Sequence, residues 1–240
     1  MALQSIRYFS KRKPHSVCPK LGNWFPTEED VSCGKSVKSS VEFFLGGELK
    51  AKIMAISFVF DIRKAIAATA FLAEREAGKL DMFLSIKMLY VADKKALQQR
   101  GKTVTGDKMV AMPKGPILSR IYNLFKGQGT VDDLREWNAN FSETVGNTIR
   151  LLKKPDLGPL SEEEMEILEA ARMEINSVAP YEVADWLHAN CPEWEDPHGS
   201  SRSIDPALIL RNAGHTDAEI LMIERSAETF KQIEKVFSSF

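Results

Sequence analysis

Residues able to do chemistry are spread thinly along this chain, and their spacing limits what they can do. His15, His188, His198 and His215 share no i, i+4 pair and no nearby cysteine pair, so the sequence carries no pattern for a metal site, and neither metal nor cofactor is expected. Cys191 follows His188 by three residues at one predicted helix end, where no third group orients them; a thiol nucleophile is not expected. Glu162, Glu163 and Glu164 resemble paired carboxylates, yet acids are favoured at helix N-termini by the backbone dipole, and capping accounts for them. Gly46-Gly47 and Gly127-Gln128-Gly129 lack the context of a phosphate-binding loop.

The richest block runs from Lys87 to Tyr122 and packs Tyr90, Asp93, Gly101, Thr105, Gly106, Asp107, Pro113, Gly115 and Pro116 into a short stretch. Each residue also has a structural role open to it. Asp93 can bond a neighbouring turn, Thr105 and Asp107 can satisfy loop amides, and Gly115-Pro116 can set a sharp turn into a helix. Catalysis here would require Asp93, Asp107 and His188 to converge in one pocket.

Composition narrows the class. An apolar fraction of 44% and a charged fraction of 27% are those of an ordinary globular chain. The net charge of -1 provides no global field for nucleic acid or an anionic membrane. Only the stretch 1–20, with Arg7, Lys11, Arg12, Lys13 and Lys20 and no acid, is locally basic, and it reads more simply as a solvated tail. Three cysteines at wide spacing support no disulfide framework and fit a reducing cytoplasm. The sequence has no apolar run of the roughly 18–20 residues that a membrane span needs.

The expected architecture is mainly α with some β: a helical, bundle-like domain carrying one or two small β-hairpins, behind an irregular N-terminal extension over residues 1–53. In that extension Thr27 could cap one short helix. Phe58, Ile62, Ala65, Ile66, Thr69 and Leu72 predict a first amphipathic helix ended by Gly78. Asp81 should cap a second, which Gly101 terminates, the two forming a helical hairpin. Residues 102–113 read as a hairpin about Gly106-Asp107 or as an extended loop. Pro116 is expected to open a helix closed by Gly127, and a second hairpin is expected about Gly146-Asn147. Ser161-Glu164 and Thr216-Glu219 are capping boxes for later helices, the last reaching about Phe237, with shorter helices opened by Pro180 and Pro206.

The stretch KMLYVADKKALQQRGKTVTGDKMVAMPKGPILSRIYN, followed by LSEEEMEIL at 160–168 and YEVADWLHANCPEW at 181–194, resembles the Panacea domain, also called the SocA-like antitoxin domain, over about residues 54–210. The resemblance implies an antitoxin of a bacterial or prophage toxin–antitoxin pair that neutralises a cognate toxin by direct protein contact. Related members hand a bound toxin to an ATP-dependent protease, which makes a proteolytic adaptor the alternative. Tyr90, Asp93, Thr105, Gly106, Asp107, Ala111, Gly115, Pro116, Tyr122, His188 and Trp194 match the family's signature. The family's domain commonly begins near its own start methionine, and Met54 stands at that place. Residues 1–53 are therefore either an accessory segment or an upstream stretch of the reading frame, and their lack of pattern favours the second.

The 102–116 loop and its adjoining helix ends are the expected toxin-binding face, since recognition residues concentrate on loops held by a rigid scaffold. Arg120, Tyr122, Trp137 and Trp194 are its candidate anchors if exposed; burial would make the aromatics core.

Overall fold

The structure is a computed structural model that describes residues 56–237, so the expectations for residues 1–53, including the Thr27 cap, lie outside the described part. Among the described residues the chain is mainly α, with a few short antiparallel strands.

The first helix, α1 (Ile62–Arg75), begins later than the sequence suggests, because the Asp61 carboxylate accepts from the amides of Arg63 and Lys64 and leaves residues 56–60 extended ahead of it. Its alanines 65, 67, 68, 70 and 73 are buried and let neighbouring backbones come close. A short strand β1 (Lys79–Asp81) leads to α2 (Met82–Arg100), capped by Asp81 and ended by Gly101 at φ +67°. Every residue of α2 from Ser85 to Asp93 is buried, so this segment has protein on all sides. A helix buried all round is normally apolar throughout. Here the enclosed run includes Lys87, Tyr90 and Asp93, and each must find its partner inside the fold.

After α2 the loop alternative holds rather than the hairpin about Gly106-Asp107. Residues 102–108 are loop, and the hairpin lies one step later, β2 (Met109–Met112) against β3 (Gly115–Leu118), joined by Pro113-Lys114. Pro116 therefore sits in a strand opposite Ala111 rather than opening a helix, its missing N–H costing nothing on the side away from β2. The helix α3 (Ser119–Phe125) follows, then α4 (Val131–Asn138), which the sequence reading does not assign. At two turns, with Trp137 its one buried residue, α4 is too short to show a period.

The strand β4 (Thr148–Arg150) pairs with β1, and the bridges Phe141–Leu151 and Val145–Thr148 turn the chain about Gly146-Asn147 as expected. The Ser161 capping box opens α5 (Glu162–Asn176), the main partner of α2. Next come α6 (Val183–Asn190), starting three residues past Pro180, and β5 (Arg202–Ser203), which joins the free side of β2. Pro206 opens α7 (Pro206–Asn212), and the reciprocal Thr216 and Glu219 bonds open α8 (Asp217–Phe237).

Glu164 ties three helices together. Its buried carboxylate accepts from the Ser161 amide at 3.0 Å and from Lys64 of α1 at 2.6 Å, and Arg100 of α2 lies 3.6 Å away. Burial pushes this carboxyl up, but Lys64, the Ser161 amide and Arg100 outweigh it and hold the group below its ordinary 4.5. Its stabilisation is thus full above that pH and is lost as pH falls through the lowered value. Glu164→Gln should reduce unfolding free energy in urea by about 1–3 kcal/mol at neutral pH, and by less in acid. An equal loss at every pH would show that the charge is irrelevant.

Candidate functional site

Asp93 is the organising group. From the buried fourth turn of α2 its Oδ1 accepts from the amides of Val104 and Thr105, both at 3.0 Å, and its Oδ2 from the Thr105 hydroxyl at 2.6 Å. The Thr105 hydroxyl in turn accepts from the Asp107 amide at 3.2 Å. Asp107 then reaches across the loop to α3, which has no side-chain cap of its own. Its carboxylate accepts from the amides of Arg120 (3.1 Å) and Ile121 (2.9 Å), and also from its neighbour Lys108 (2.6 Å). Thus Thr105 links the middle of α2 to the N-terminus of α3, a cap delivered from twelve residues upstream of the helix. Burial raises both carboxyls, Asp93 to about 7 despite the Thr105 and Val104 bonds, with the Asp107 charge adding to the rise.

Gly106 completes the loop for two reasons. Its φ is +72°, and a Cβ there would sit 1.8 Å from the Val59 carbonyl oxygen. The extended segment 56–61 crosses the loop at that point, and the Asp61 amide donates to the Thr105 carbonyl at 3.0 Å. Each polar member of Thr103-Val-Thr-Gly-Asp107 is accounted for, Thr103 accepting from the Gly106 amide.

A second network holds the hairpin. Lys87, 1% exposed, donates to the carbonyls of Gly115 (2.9 Å) and Pro116 (3.0 Å) at the start of β3. Burial pulls its pKa down to about 7, partly offset by the nearby Cys191. The Tyr90 hydroxyl donates to buried Glu193 at 2.6 Å, and Lys94 lies 2.9 Å from the same carboxylate. Burial, then the Glu193 charge, holds the phenol well above its usual value. The Trp194 indole N–H donates to the Met112 carbonyl at the hairpin's turn, and its ring stacks on His188 at 3.8 Å. Buried Cys191 has its thiol pushed up to about 12 by burial, which keeps it protonated at neutral pH.

The candidates therefore separate into scaffold and surface. Tyr90, Asp93, Thr105, Asp107, Gly115 and Pro116 are buried and bonded within the fold. Trp137 is 1% exposed and packs between Phe125 and Phe141, so it is core rather than an anchor; two aromatics flanking it in sequence foreshadow this. Arg120 is exposed, stacked over Phe60 at 4.2 Å and paired with Asp133 at 2.6 Å; Tyr122, His188 and Trp194 are half-buried. Asp93 and Asp107 meet through Thr105 at the open end of the hairpin, whereas His188 stacks on Trp194 beside its turn, a strand of roughly 10 Å away. The three do not share one pocket.

Two grooves flank the 56–61 crossing. One, of about 510 Å³, is bounded by Ile56, Asp107, Arg120 and Pro206; the other, of about 600 Å³, runs between residues 58–64, the 100–106 loop and α8. Lys87, Glu193 and this second groove escape the sequence reading. A lysine inside an apolar helical run was the one available signal for the first of them. Among the described residues no helix is long and apolar enough to cross a membrane.

Comparison with curated proteins and with solved structures gives no match. A family model does match, that of the antitoxin SocA-like, Panacea domain, and its span contains both networks from Lys87 to Trp194. Residues 86–195 of this chain match the family model of the antitoxin SocA-like, Panacea domain.

Proposed function

We propose that the chain is the antitoxin of a bacterial or prophage toxin–antitoxin pair and neutralises a cognate toxin by direct contact in the cytoplasm. The family match carries this reading. The geometry supports it by what it does with the polar groups. The two carboxylates of the richest block bind amides of their own chain, and the result is a largely buried loop fixed on both sides that exposes Lys102 and Lys108, with Arg120 exposed beside it. A loop rigid before binding loses little conformational entropy on meeting a partner. The toxin-binding face is the 102–108 loop, the hairpin beside it and the 56–61 crossing, and neutralisation is steric.

The test is co-expression with whichever small reading frame neighbours the gene. The neighbour alone should arrest growth, and this chain should restore it while the two proteins co-purify. Toxin lifetime then separates the two modes: an unchanged lifetime fits occlusion, while loss of toxin only in cells holding an ATP-dependent protease makes the chain an adaptor. A neighbour that is harmless, or toxic despite this chain, would overturn the proposal.

A further inference from the structure

Beside the 102–108 loop, α8 leaves large apolar side chains uncovered among the described residues. Along α8 only Ile220 and Ala227 are buried, while Met222 is 71% exposed and Phe230 63% exposed. Across the groove Val59, at 42%, presents a third large apolar side chain. These three line or rim the 600 Å³ groove, whose floor is Phe58, Ile223 and Ala227. Apolar side chains gathered around one concave surface mark a protein contact far more often than scattered ones do.

The charge on the rim selects among occupants. The lining holds Arg63, Lys64, Arg100 and Lys102 against Asp61 and Glu234. Lys64 and Arg100 are engaged by Glu164 and Glu163 from α5. Exposed Lys102 makes no ion pair among the described residues, and exposed Arg63 has only Asp61 at 3.7 Å. The groove is thus apolar inside with two accessible cations at its edge. A second copy of the chain fits this poorly, because a two-fold interface would set the same cations against themselves.

Resting on the antitoxin reading, we infer that this groove receives a short apolar segment of the toxin flanked by acidic residues, with α8 as one wall and the 58–64 segment as the other. Apolar anchors fill the space above Ala227, and carboxylates reach Lys102 and Arg63. The 102–106 loop, locked by Asp93, sets the distance between the walls.

The probe that needs no toxin is a pair of short synthetic peptides with leucines at i, i+3, i+4 and i+7, one flanked by glutamates and its twin by lysines, titrated into the full chain by fluorescence anisotropy. The glutamate peptide should bind roughly tenfold tighter than the lysine twin at low salt, and the gap should close as salt is raised. Phe230→Glu should weaken binding by about tenfold without moving the melting temperature, since the side chain is exposed. Lys102→Glu should lower the preference for glutamate. Equal binding of both peptides, binding of neither, or full binding by Phe230→Glu overturns the inference. So does a dimer in sedimentation that Phe230→Glu dissolves, which would give the groove to a second copy. The co-expression assay keeps the two proposals apart. If Phe230→Glu rescues growth as well as the wild type, the groove is wrong and the antitoxin stands; if the wild type fails to rescue, the antitoxin reading is wrong whatever the peptides do.

Discussion

Asp93→Ala should lower the unfolding free energy by about 3–5 kcal/mol, since it strands three buried donors, the amides of Val104 and Thr105 and the Thr105 hydroxyl, each worth about 1–3 kcal/mol when left unsatisfied. The damage should spread along the chain of bonds. Without Asp93 the Thr105 hydroxyl is no longer oriented towards the Asp107 amide, and Asp107 is no longer aimed at the first turn of α3. Hydrogen exchange should therefore speed up at Val104 and Thr105 first and at Arg120 and Ile121 next. Asp93→Asn keeps an acceptor for the two amides and should lose only about 1–2 kcal/mol. In a double-mutant cycle Thr105→Val should add little to Asp93→Ala, because both break one linkage. Unchanged protection at Arg120 and Ile121 in Asp93→Ala would show that the Asp107 cap stands alone. Toxin neutralisation should fail together with loop order in Asp93→Ala, in contrast to Phe230→Glu, which should fail with stability intact.

That contrast marks what the sequence could and could not disclose. The capping boxes at Ser161 and Thr216, the Asp81 cap and the Gly101 stop are local devices, complete within a few residues, and all stand where the sequence reading puts them. Of the two readings of this stretch the loop holds over 102–108, because Gly106-Asp107 has the residue types of a tight turn while serving another end. The glycine admits the Val59 carbonyl, and the aspartate caps a helix in which it takes no part. Pro116 misled for the same reason: proline at a helix start and proline on the uncovered side of an edge strand look identical until the partner strand is known. Asp93, Thr105 and Asp107 were legible as loop-satisfying residues, yet their joining of α2 to α3 depends on pairings ten or more residues apart. The α8 groove was illegible for a plainer reason. Met222 and Phe230 keep the helical spacing of ordinary core positions, and only packing shows that nothing among the described residues covers them.

The two networks also make opposing demands on pH, and together they predict an unusual stability profile. Burial lowers Lys87 from 10.5 to about 7, so between those values the unfolded chain holds a proton that the folded one has released, and stability must rise as pH climbs through that window. Burial raises Asp93 from 3.8 to about 7, so across that range the folded chain holds the extra proton and stability must fall as pH rises. Asp107, raised for the same cause, acts in the same direction. Below about 4.5 the lowered carboxyls of Glu164 and Glu169 reverse the trend, because their ion pairs are lost on protonation. The expected curve therefore has a maximum at about pH 4, a trough close to neutrality and a second rise into alkali. With about 1.4 kcal/mol for each unit, the rise from pH 7 to about 9 should be on the order of 3 kcal/mol, beyond which the buried Cys191 thiol and Tyr90 phenol, still protonated in the fold while they ionise in the unfolded chain, offset it. Urea titrations from acid to alkali would trace it. Lys87→Met, which keeps the buried stem but removes the charge, should flatten the alkaline limb alone, and Asp93→Asn the acid limb alone. A wild-type curve with no rise above pH 7 would mean that Lys87 stays fully charged inside the fold. Its bonds to the Gly115 and Pro116 carbonyls would then outweigh desolvation, and Lys87→Met would loosen the β3 edge of the hairpin at every pH.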